Sequence, residues 1–222
     1  MHDLPPPLDL LPLLSTGLWI TLQITAGGTL VAVLAAFAAG VAQLSPHRWL
    51  RIPALIYIDL FRGTSALVQL FWVYFALPAF GIRLEAMTAA ILVLGLNIGA
   101  YGAEVVRGAL VAVPRSQHDA ALALNFSASE RLRYVIFPQA VALMLPPFGN
   151  LLIELLKSTA LVSLITLGDL TFQAQVLRSA TLRSAEIFTL VLLLYFLVAQ
   201  LLGQGMRQLE RRYRAHLTPE ST

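Results

Sequence analysis

Cysteine is absent from this sequence, and charged residues are few. Without cysteine, a disulfide framework and a Cys-based metal site are both excluded. Charged residues make up 12% of the 222 residues and hydrophobic residues 58%, whereas a soluble domain normally carries about 25% charged residues. Because the mean hydropathy is also high, at +0.76, the composition predicts an integral membrane protein.

Histidine and lysine are also scarce. The histidines are scattered, at His2, His47, His118 and His216, which argues against a metal cluster built from imidazoles. The only lysine, Lys157, precedes a serine, but the stretch IELLKST lacks the glycines that let backbone amides hold a phosphate in a G-x-x-x-x-G-K-[ST] loop. We therefore expect no metal site, no ATP site and no catalytic residue in this chain.

The basic residues raise the sequence pI to about 9.6 without predicting a nucleic-acid partner. They lie at the ends of apolar stretches rather than along one polar face, where they set the topology of a membrane protein. The first residues, MHDLPPPLDLL, lack the basic region of a signal peptide. We therefore expect the first apolar stretch to remain in the mature protein.

Five apolar stretches are long enough to cross a bilayer, which takes roughly 20 helical residues. They cover residues 17–44, 62–80, 87–106, 138–156 and 187–206. The segment between the fourth and fifth is amphipathic enough to lie partly within the membrane face, with a plain loop as the alternative. The pattern predicts an all-α integral membrane protein with about five transmembrane helices.

Positive charge predicts the orientation of these spans. Placing the carboxyl terminus in the cytoplasm leaves only Arg83, Lys157, Arg178 and Arg183 in the fourth span or outside, and every other Lys and Arg falls inside. Because the number of spans is odd, the amino terminus is then outside. We find no soluble second domain and no internal repeat, so residues 1–222 are predicted to form a single transmembrane domain.

A polar, basic stretch interrupts the apolar pattern on the cytoplasmic side, between the third and fourth spans. Pro114 suits the first turn of a helix, and Asp119 near its start favours the positive end of the helix dipole. Asn125 suits the left-handed residue that ends a helix. Ser127 and Glu130 are spaced as a capping box for a second helix. We predict two short, capped helices that project rigidly, with a solvated loop of helical content as the alternative.

This stretch resembles the coupling loop of the permease subunits of ABC importers for polar amino acids, the histidine/glutamine permease family. That loop carries the motif Glu-Ala-Ala, three residues, Gly and, further on, Leu-Pro. The matching residues are Asp119-Ala120-Ala121, Asn125 and Phe137-Pro138. Asp in place of Glu keeps the carboxylate, Asn in place of Gly keeps access to the left-handed conformation, and Phe replaces Leu.

Other stretches resemble the same family in order and spacing. They are YIDLFRGTSALVQLFW, NIGAYGAEVVRGAL, AVPRSQHDAALAL and LPPFGNLLIELLKSTALVSLI. The resemblance covers about residues 17–212. Within the family, FRGTSALVQLFW, GLNIGAYGAEVVRGA and ALN in place of ALG are most similar to the permeases of ectoine/hydroxyectoine importers.

The resemblance implies a non-catalytic permease with the type I ABC importer fold, multi-pass in the bacterial plasma (inner) membrane. A coupling loop at about residues 113–137 would dock on a separate ABC ATP-binding subunit, which binds the ATP and Mg. The residues implied in coupling are Asp119, Ala120, Ala121, Asn125 and Pro138. The implied partners are also a second permease, identical or homologous, and an extracytoplasmic solute-binding protein.

The fourth span carries polar residues that suit a zwitterionic solute, such as an amino acid or ectoine. Glu154 and Lys157 share a helix face at i,i+3 spacing. Asn150 and the pair Pro146-Pro147, which can break the helix and free carbonyl groups for a ligand, lie upstream. This face offers an acceptor for a cation and a donor for a carboxylate. The alternative is a structural ion pair near the outer end of the span.

Two more pairs of opposite charge have the same i,i+3 spacing. Glu104 and Arg107 lie near the cytoplasmic end of the third span, where we expect an inner-gate ion pair or snorkelling rather than substrate contact. Asp59 and Arg62 precede the second span, and we expect a structural role for them. Tyr101 either lines a pathway or packs between helices, and the glycines of GLNIGAYGAE are expected to permit close helix packing.

Two other functions remain to be weighed against the permease. A stand-alone secondary transporter would be favoured by inverted repeats, which we do not find, and the coupling loop would have no purpose in it. An intramembrane enzyme would need a nucleophile–base pair or a metal set, and no histidine lies in any predicted span. We therefore predict an importer permease.

Overall fold

The computed structural model describes residues 8–217, with side chains described as far as residue 213. The predicted domain 1–222 and the first residues of MHDLPPPLDLL thus extend beyond the described residues. Those residues are helical and contain no strand. The helices are α1 (Leu11–Ala42), α2 (Arg48–Gly63), α3 (Ala66–Phe71), α4 (Ala86–Ala112), α5 (Arg115–Ala123), α6 (Ala128–Glu130), α7 (Phe137–Ser158), α8 (Leu170–Thr181) and α9 (Ser184–Leu217).

Five short turns of π or 3-10 helix complete the described chain. They are Leu8–Leu10 before α1, Trp72–Ala76 and Leu77–Phe80 after α3, Arg131–Ile136 between α6 and α7, and Thr159–Ile165 after α7. Among the described residues, four helices are long and apolar enough to cross a membrane, and a bent pair of helices can supply a fifth crossing. The predicted all-α class with about five spans is confirmed, and the orientation stays a prediction.

Helices α1 and α4 run side by side in the same direction and form the centre of the fold. A Cβ atom added at Gly95 of α4 would lie 2.7 Å from Cβ of Val31, and one at Gly40 of α1 would lie 2.7 Å from Cβ of Val106. Larger residues at these two glycines would push the helices apart, as expected where small residues let transmembrane backbones approach. The predicted close packing of the α4 glycines is confirmed.

The second span is not the single helix predicted from about Arg62 to Phe80. Helix α2 begins at Arg48, and the chain then bends by 105° between Gly63 and Ala66 before continuing to Phe80. The segment Ala66–Phe80 alone covers only about 22 Å at 1.5 Å per residue, too short for a hydrocarbon core of about 30 Å. The periodicity of FRGTSA did not reveal this bend, because side-chain hydrogen bonds from Gln69 and from the distant Asn97 stabilise it.

The sequence predicted that the second short helix of the coupling loop is separate from the fourth span, and this prediction is wrong. Helix α6, the turn Arg131–Ile136 and α7 follow one another without a break, within a helical run from Ala128 to Ile165. Pro138 is near the start of α7, where its missing N–H and its ring would disturb a regular helix. The wide π turn immediately before it accommodates that disturbance, so the helix continues through the proline.

The segment between α7 and α9 packs on the rest of the chain instead of forming a plain loop. Leu170, Ala174 and Leu177 of α8 are buried in one cluster with Leu14 of α1 and Ile187 of α9. The buried Asp169 caps α8 by accepting hydrogen bonds from the backbone N–H groups at positions 171 and 172. Burial raises the pKa of this carboxyl to about 6, while the two N–H groups act in the opposite direction.

The bundle has two ends, which we name by their elements. The coupling end is where α1 and α4 finish and α7 begins, so it includes α5 and α6. The far end is where α1, α4 and α9 begin and α8 finishes. These names do not depend on the orientation in the membrane.

Candidate functional site

The coupling segment, residues 113–137, presents an apolar surface at the coupling end. Leu122 of α5 is 54% exposed, Leu124 is 70% exposed, and Tyr134 in the following turn is 62% exposed. Asp119 and Ala120 are exposed beside them, and Asp119 makes no ion pair with any described residue. An exposed group of large apolar side chains next to polar ones is typical of a protein-binding surface.

The local geometry of this segment follows the predicted caps. Asn125 has the left-handed φ of 59°, and the N–H groups of Asn125 and Phe126 donate to the carbonyls of Leu122 and Ala121 at 2.9 and 3.0 Å. These two bonds form a Schellman motif that ends α5. Ser127 begins α6, with both bonds of the capping box to Glu130 present. Both predicted caps are confirmed.

Two details of the predicted loop differ in the structure. Asp119 is the fifth residue of the nine-residue α5, whose first turn holds no acidic residue, so the expected interaction with the positive end of the helix dipole is wrong. Ala121 is only 2% exposed. Helix α5 packs against the turn Arg131–Ile136, and a bond of 3.2 Å from the Gln139 amide to Gln117 also ties it to α7.

Charged residues of α2 and α4 meet in the half of the bundle nearer the coupling end. Nη2 of Arg107 lies 2.9 Å from Oε2 of Glu104, so these two residues form the predicted pair. Arg62 does not pair with Asp59 in the described structure. Instead, its guanidinium lies 5.4 Å from the ring centre of Tyr101, a cation–π contact. The cluster thus links the end of α2 to α4 and carries one excess positive charge.

The side-chain amides of Asn97 and Gln69 hold the bend between α2 and α3. The sequence pattern did not predict a role for either residue. The backbone carbonyl of Phe61 accepts a hydrogen bond of 3.0 Å from each amide. Asn97 also donates to Gln69 at 3.1 Å, and Gln69 donates to the Thr64 hydroxyl at 2.7 Å. The sequence signal was present, because an Asn and a Gln within apolar spans need partners.

Replacing Asn97 by leucine is expected to destabilise the protein by about 1–3 kcal/mol, because the part-buried carbonyl of Phe61 loses one of its two donors and the amide oxygen of Gln69 loses its donor. The melting temperature of the protein in detergent measures this effect. Gln69→Leu is the matched variant. Because the two amides bond to each other and share one acceptor, we expect the double variant to lose less than the sum of the single losses. An unchanged melting temperature in Asn97→Leu would contradict the role of this amide.

Three polar residues share one exposed face of α7. Asn150, Glu154 and Lys157 are all exposed, at a spacing of four and then three residues that places them in line. Within the described residues, their side chains make no ion pair and no hydrogen bond, with each other or elsewhere. The structural ion pair between Glu154 and Lys157, the alternative to a substrate-binding face, is therefore absent from the described residues. Helix α7 also continues through Pro146 and Pro147, contrary to the predicted break.

This polar face lies at the middle depth of the bundle. Leu155, between the two charged residues, packs with Val93 and Leu94 in the central cluster of α1 and α4. A Cβ atom added at Gly28 would lie 3.3 Å from the Leu155 side chain. Gly28 is itself halfway along the uncharged stretch between Asp9 and Arg48. Charged groups at this depth are costly when they face lipid, which indicates that this face meets something other than lipid.

A cleft between α7 and α9 adjoins the polar face. Its volume is about 610 Å³, and its walls are mainly apolar. The polar groups in the walls are Lys157, Tyr195, Gln200 and Arg207. No group of three or more potential metal ligands exists among the described residues. The cleft thus combines mainly apolar walls with two cationic side chains, Lys157 and Arg207.

Comparison with known proteins agrees with this arrangement. Residues 28–215 match the family described as "Binding-protein-dependent transport system inner membrane component". The probable amino-acid ABC transporter permease protein y4tF of Sinorhizobium fredii is 48% identical over 94% of this chain and 91% of its own length. The glutamine transport system permease protein GlnP of Escherichia coli is 38% identical over 91% of this chain and 93% of its own length.

Solved structures show the same fold. A chain from the crystal structure of an amino acid ABC transporter with histidines superposes with a TM-score of 0.86 at 35% identity, covering 92% of this chain and 96% of that chain. A chain of the MetNI methionine ABC transporter superposes with a TM-score of 0.78 at 21% identity, over 95% of this chain and 99% of that chain. The second likeness concerns the fold alone.

The match over most of the chain decides between the functions considered above. It supports the importer permease and not the stand-alone secondary transporter, and a permease component agrees with the predicted non-catalytic role. The chain belongs to the family of inner membrane components of binding-protein-dependent transport systems, and it is the permease subunit of an ABC importer.

Proposed function

We propose that this permease imports a small zwitterionic solute, an amino acid or a compatible solute such as ectoine or hydroxyectoine. The observation that carries the proposal is the face of α7 with Asn150, Glu154 and Lys157. It offers a carboxylate for the cation of the solute, an ammonium for its carboxylate, and an amide for either, and none of the three side chains has a partner within the described chain. The names of the relatives, which refer to amino acids and to glutamine, agree with a solute of this class.

A second permease completes the pathway in this proposal. One chain leaves charged residues at middle depth on an exposed face, and the lipid core would disfavour them. A second copy, or a homologous permease, placed against this face would shield these side chains from lipid. The solute would then pass between the two permeases, with the cleft between α7 and α9 along its route.

An ABC ATP-binding subunit drives the transport in this proposal, binding ATP and Mg in place of the permease. The coupling segment docks on it through Leu122, Leu124 and Tyr134, with Asp119 meeting a basic side chain. Because the helix is uninterrupted from Ala128 to Ile165, α6 and α7 move together as a rigid body when α6 is displaced. That movement carries the Glu154 face with it and links ATP hydrolysis to the pathway.

An extracytoplasmic solute-binding protein delivers the solute at the far end, with the permease in the bacterial inner membrane. The family description itself refers to binding-protein-dependent transport. This placement requires the coupling end in the cytoplasm, as the distribution of arginines predicts. We expect no role for nucleic acid.

Uptake into ATP-loaded proteoliposomes tests the proposal. The vesicles carry this chain with the ATP-binding subunit, the solute-binding protein and any second permease encoded beside it. Labelled ectoine is compared with a panel of polar amino acids, and we expect ATP-dependent uptake of at least one of them. Uptake of an amino acid but not ectoine would refute the narrower solute assignment. Equal uptake without ATP would refute the coupling to an ATP-binding subunit.

A further inference from the structure

The turn between α8 and α9 presents a single large apolar side chain at the far end. Leu182 is 84% exposed. Its neighbours at positions 179, 180, 181, 184 and 185 are Ser, Ala, Thr, Ser and Ala, all exposed as well. None of these small residues covers the leucine, so it forms an isolated apolar knob.

Leu182 also has a backbone conformation that leucine disfavours. Its φ of 60° and ψ of 11° lie in the left-handed region, which is unfavourable for a residue with a branched side chain such as leucine. Glycine or asparagine would adopt this conformation more readily. The fold thus accepts an unfavourable backbone geometry at the residue that exposes the most apolar surface of the turn.

The turn is held rigidly in place. The N–H of Leu182 donates to the carbonyl of Arg178 at 2.9 Å, and Nε of Arg178 donates to the hydroxyl of Ser184 at 3.3 Å. Arg183 forms ion pairs with Asp9 and Glu186, and their hydrogen bonds raise the pKa of this guanidinium. These bonds join the start of α1, the end of α8 and the start of α9, so the knob is preorganised for binding.

The knob lies outside the hydrocarbon region of a membrane. Arg183, next to Leu182, binds Asp9, which precedes α1. Gly28 is the midpoint of the uncharged stretch, and at 1.5 Å per residue Asp9 is about 28 Å from it along the helix axis. Half the thickness of the hydrocarbon core is only about 15 Å, so Asp9 lies beyond the core. Lipid chains therefore do not cover Leu182, which is exposed to water at the far end.

We propose that Leu182 is a docking contact for the extracytoplasmic solute-binding protein. This assignment rests on the proposed function, in which that protein approaches the far end. Arg178 is exposed beside the knob and has no ion-pair partner among the described residues. The matching surface of the partner is therefore a shallow apolar pocket bordered by a carboxylate. A preorganised apolar anchor of this kind fits the pattern of interface hot spots.

Titration of the solute-binding protein against the complete transporter in lipid nanodiscs, with ATP hydrolysis as the readout, tests this contact. In Leu182→Asn and Leu182→Gly, which both accept the left-handed conformation, we expect the half-saturating concentration of binding protein to rise by about 10- to 30-fold. Leu182→Met keeps an apolar side chain and should stay within about threefold of the unaltered protein. Hydrolysis without binding protein should be unchanged, and the melting temperature of Leu182→Gly should not fall.

Three results would overturn the assignment, and they are distinguishable. An equal half-saturating concentration in Leu182→Gly and the unaltered protein removes Leu182 from the interface while leaving the proposed function intact. Absence of any stimulation in the unaltered complex refutes the binding-protein partnership itself. In a third outcome, Leu182→Gly changes ATP hydrolysis in the absence of binding protein but leaves the half-saturating concentration of binding protein unchanged. That outcome would assign the knob to the lipid headgroups instead.

Discussion

Replacing Asp119 by lysine is expected to reduce ATP-driven uptake by about 10- to 100-fold while the protein still inserts into the membrane. Asp119 is exposed on α5, one helical turn from the exposed Leu122, and it has no ion-pair partner among the described residues. A basic partner on the ATP-binding subunit would face a like charge in this variant, which costs several kcal/mol at an interface. Co-purification with the ATP-binding subunit and uptake into proteoliposomes measure the loss.

Asp119→Glu is the matched control for this variant. It restores the residue that the family motif carries and keeps the charge, so we expect uptake close to that of the unaltered protein. Because the side chain is exposed on a short helix that is capped by other residues, neither substitution should alter the melting temperature of the isolated permease. Unchanged coupled transport in Asp119→Lys would remove this carboxylate from the coupling surface.

Replacing Glu154 by glutamine together with Lys157 by methionine is expected to reduce solute uptake by at least about 100-fold. Each charged hydrogen bond to the solute is worth about 1.5–3 kcal/mol, and the variant removes both charges. Binding of the ATP-binding subunit should be unchanged, because the coupling segment is intact. Insertion and stability should improve, since two side chains that are costly at middle depth are neutralised.

The exchange variant, Glu154→Lys with Lys157→Glu, separates substrate binding from simple neutralisation. It keeps the composition of the face but inverts the positions of the two charges. If the face binds a zwitterion in a fixed orientation, uptake falls in this variant as well. Normal uptake in Glu154→Gln with Lys157→Met would show that the face does not bind the solute, whereas normal uptake in the exchange variant alone would show that both charges are needed but their order along the helix is not.

Local sequence signals predicted local structure well. The capping box of Ser127 and Glu130 and the left-handed Asn125 depend on side chains within a few residues of each other, and both are confirmed. The apolar spans are likewise set by composition over a window of roughly 20 residues. The pair Glu104 and Arg107 formed as its spacing suggested, whereas Glu154 and Lys157, with the same spacing, did not pair. Spacing alone does not fix rotamers, which depend on what each side chain packs against.

Features that depend on distant residues were missed or misjudged. The bend after α2 is stabilised by Gln69, which is close in sequence, and by Asn97, which is far along the chain from Phe61, so a window around FRGTSA contains only part of the cause. The continuity of α6 with α7 contradicts a simple interpretation of Pro138 as a helix boundary, because a π turn absorbs the effect of the proline. Spacing assigned the guanidinium of Arg62 to Asp59, but in the structure it lies over the ring of Tyr101 in α4.

The sequence by itself determined the class of protein, because hydropathy and charge are sums over residues that do not require a fold. It determined the family too, through motifs whose order and spacing are carried by the chain alone. Only the tertiary structure decided which charges are unpaired, at what depth Glu154 and Lys157 lie, and that Leu182 is exposed in a rigid turn. These properties arise from contacts between helices, and such contacts exist only once distant parts of the chain have packed together.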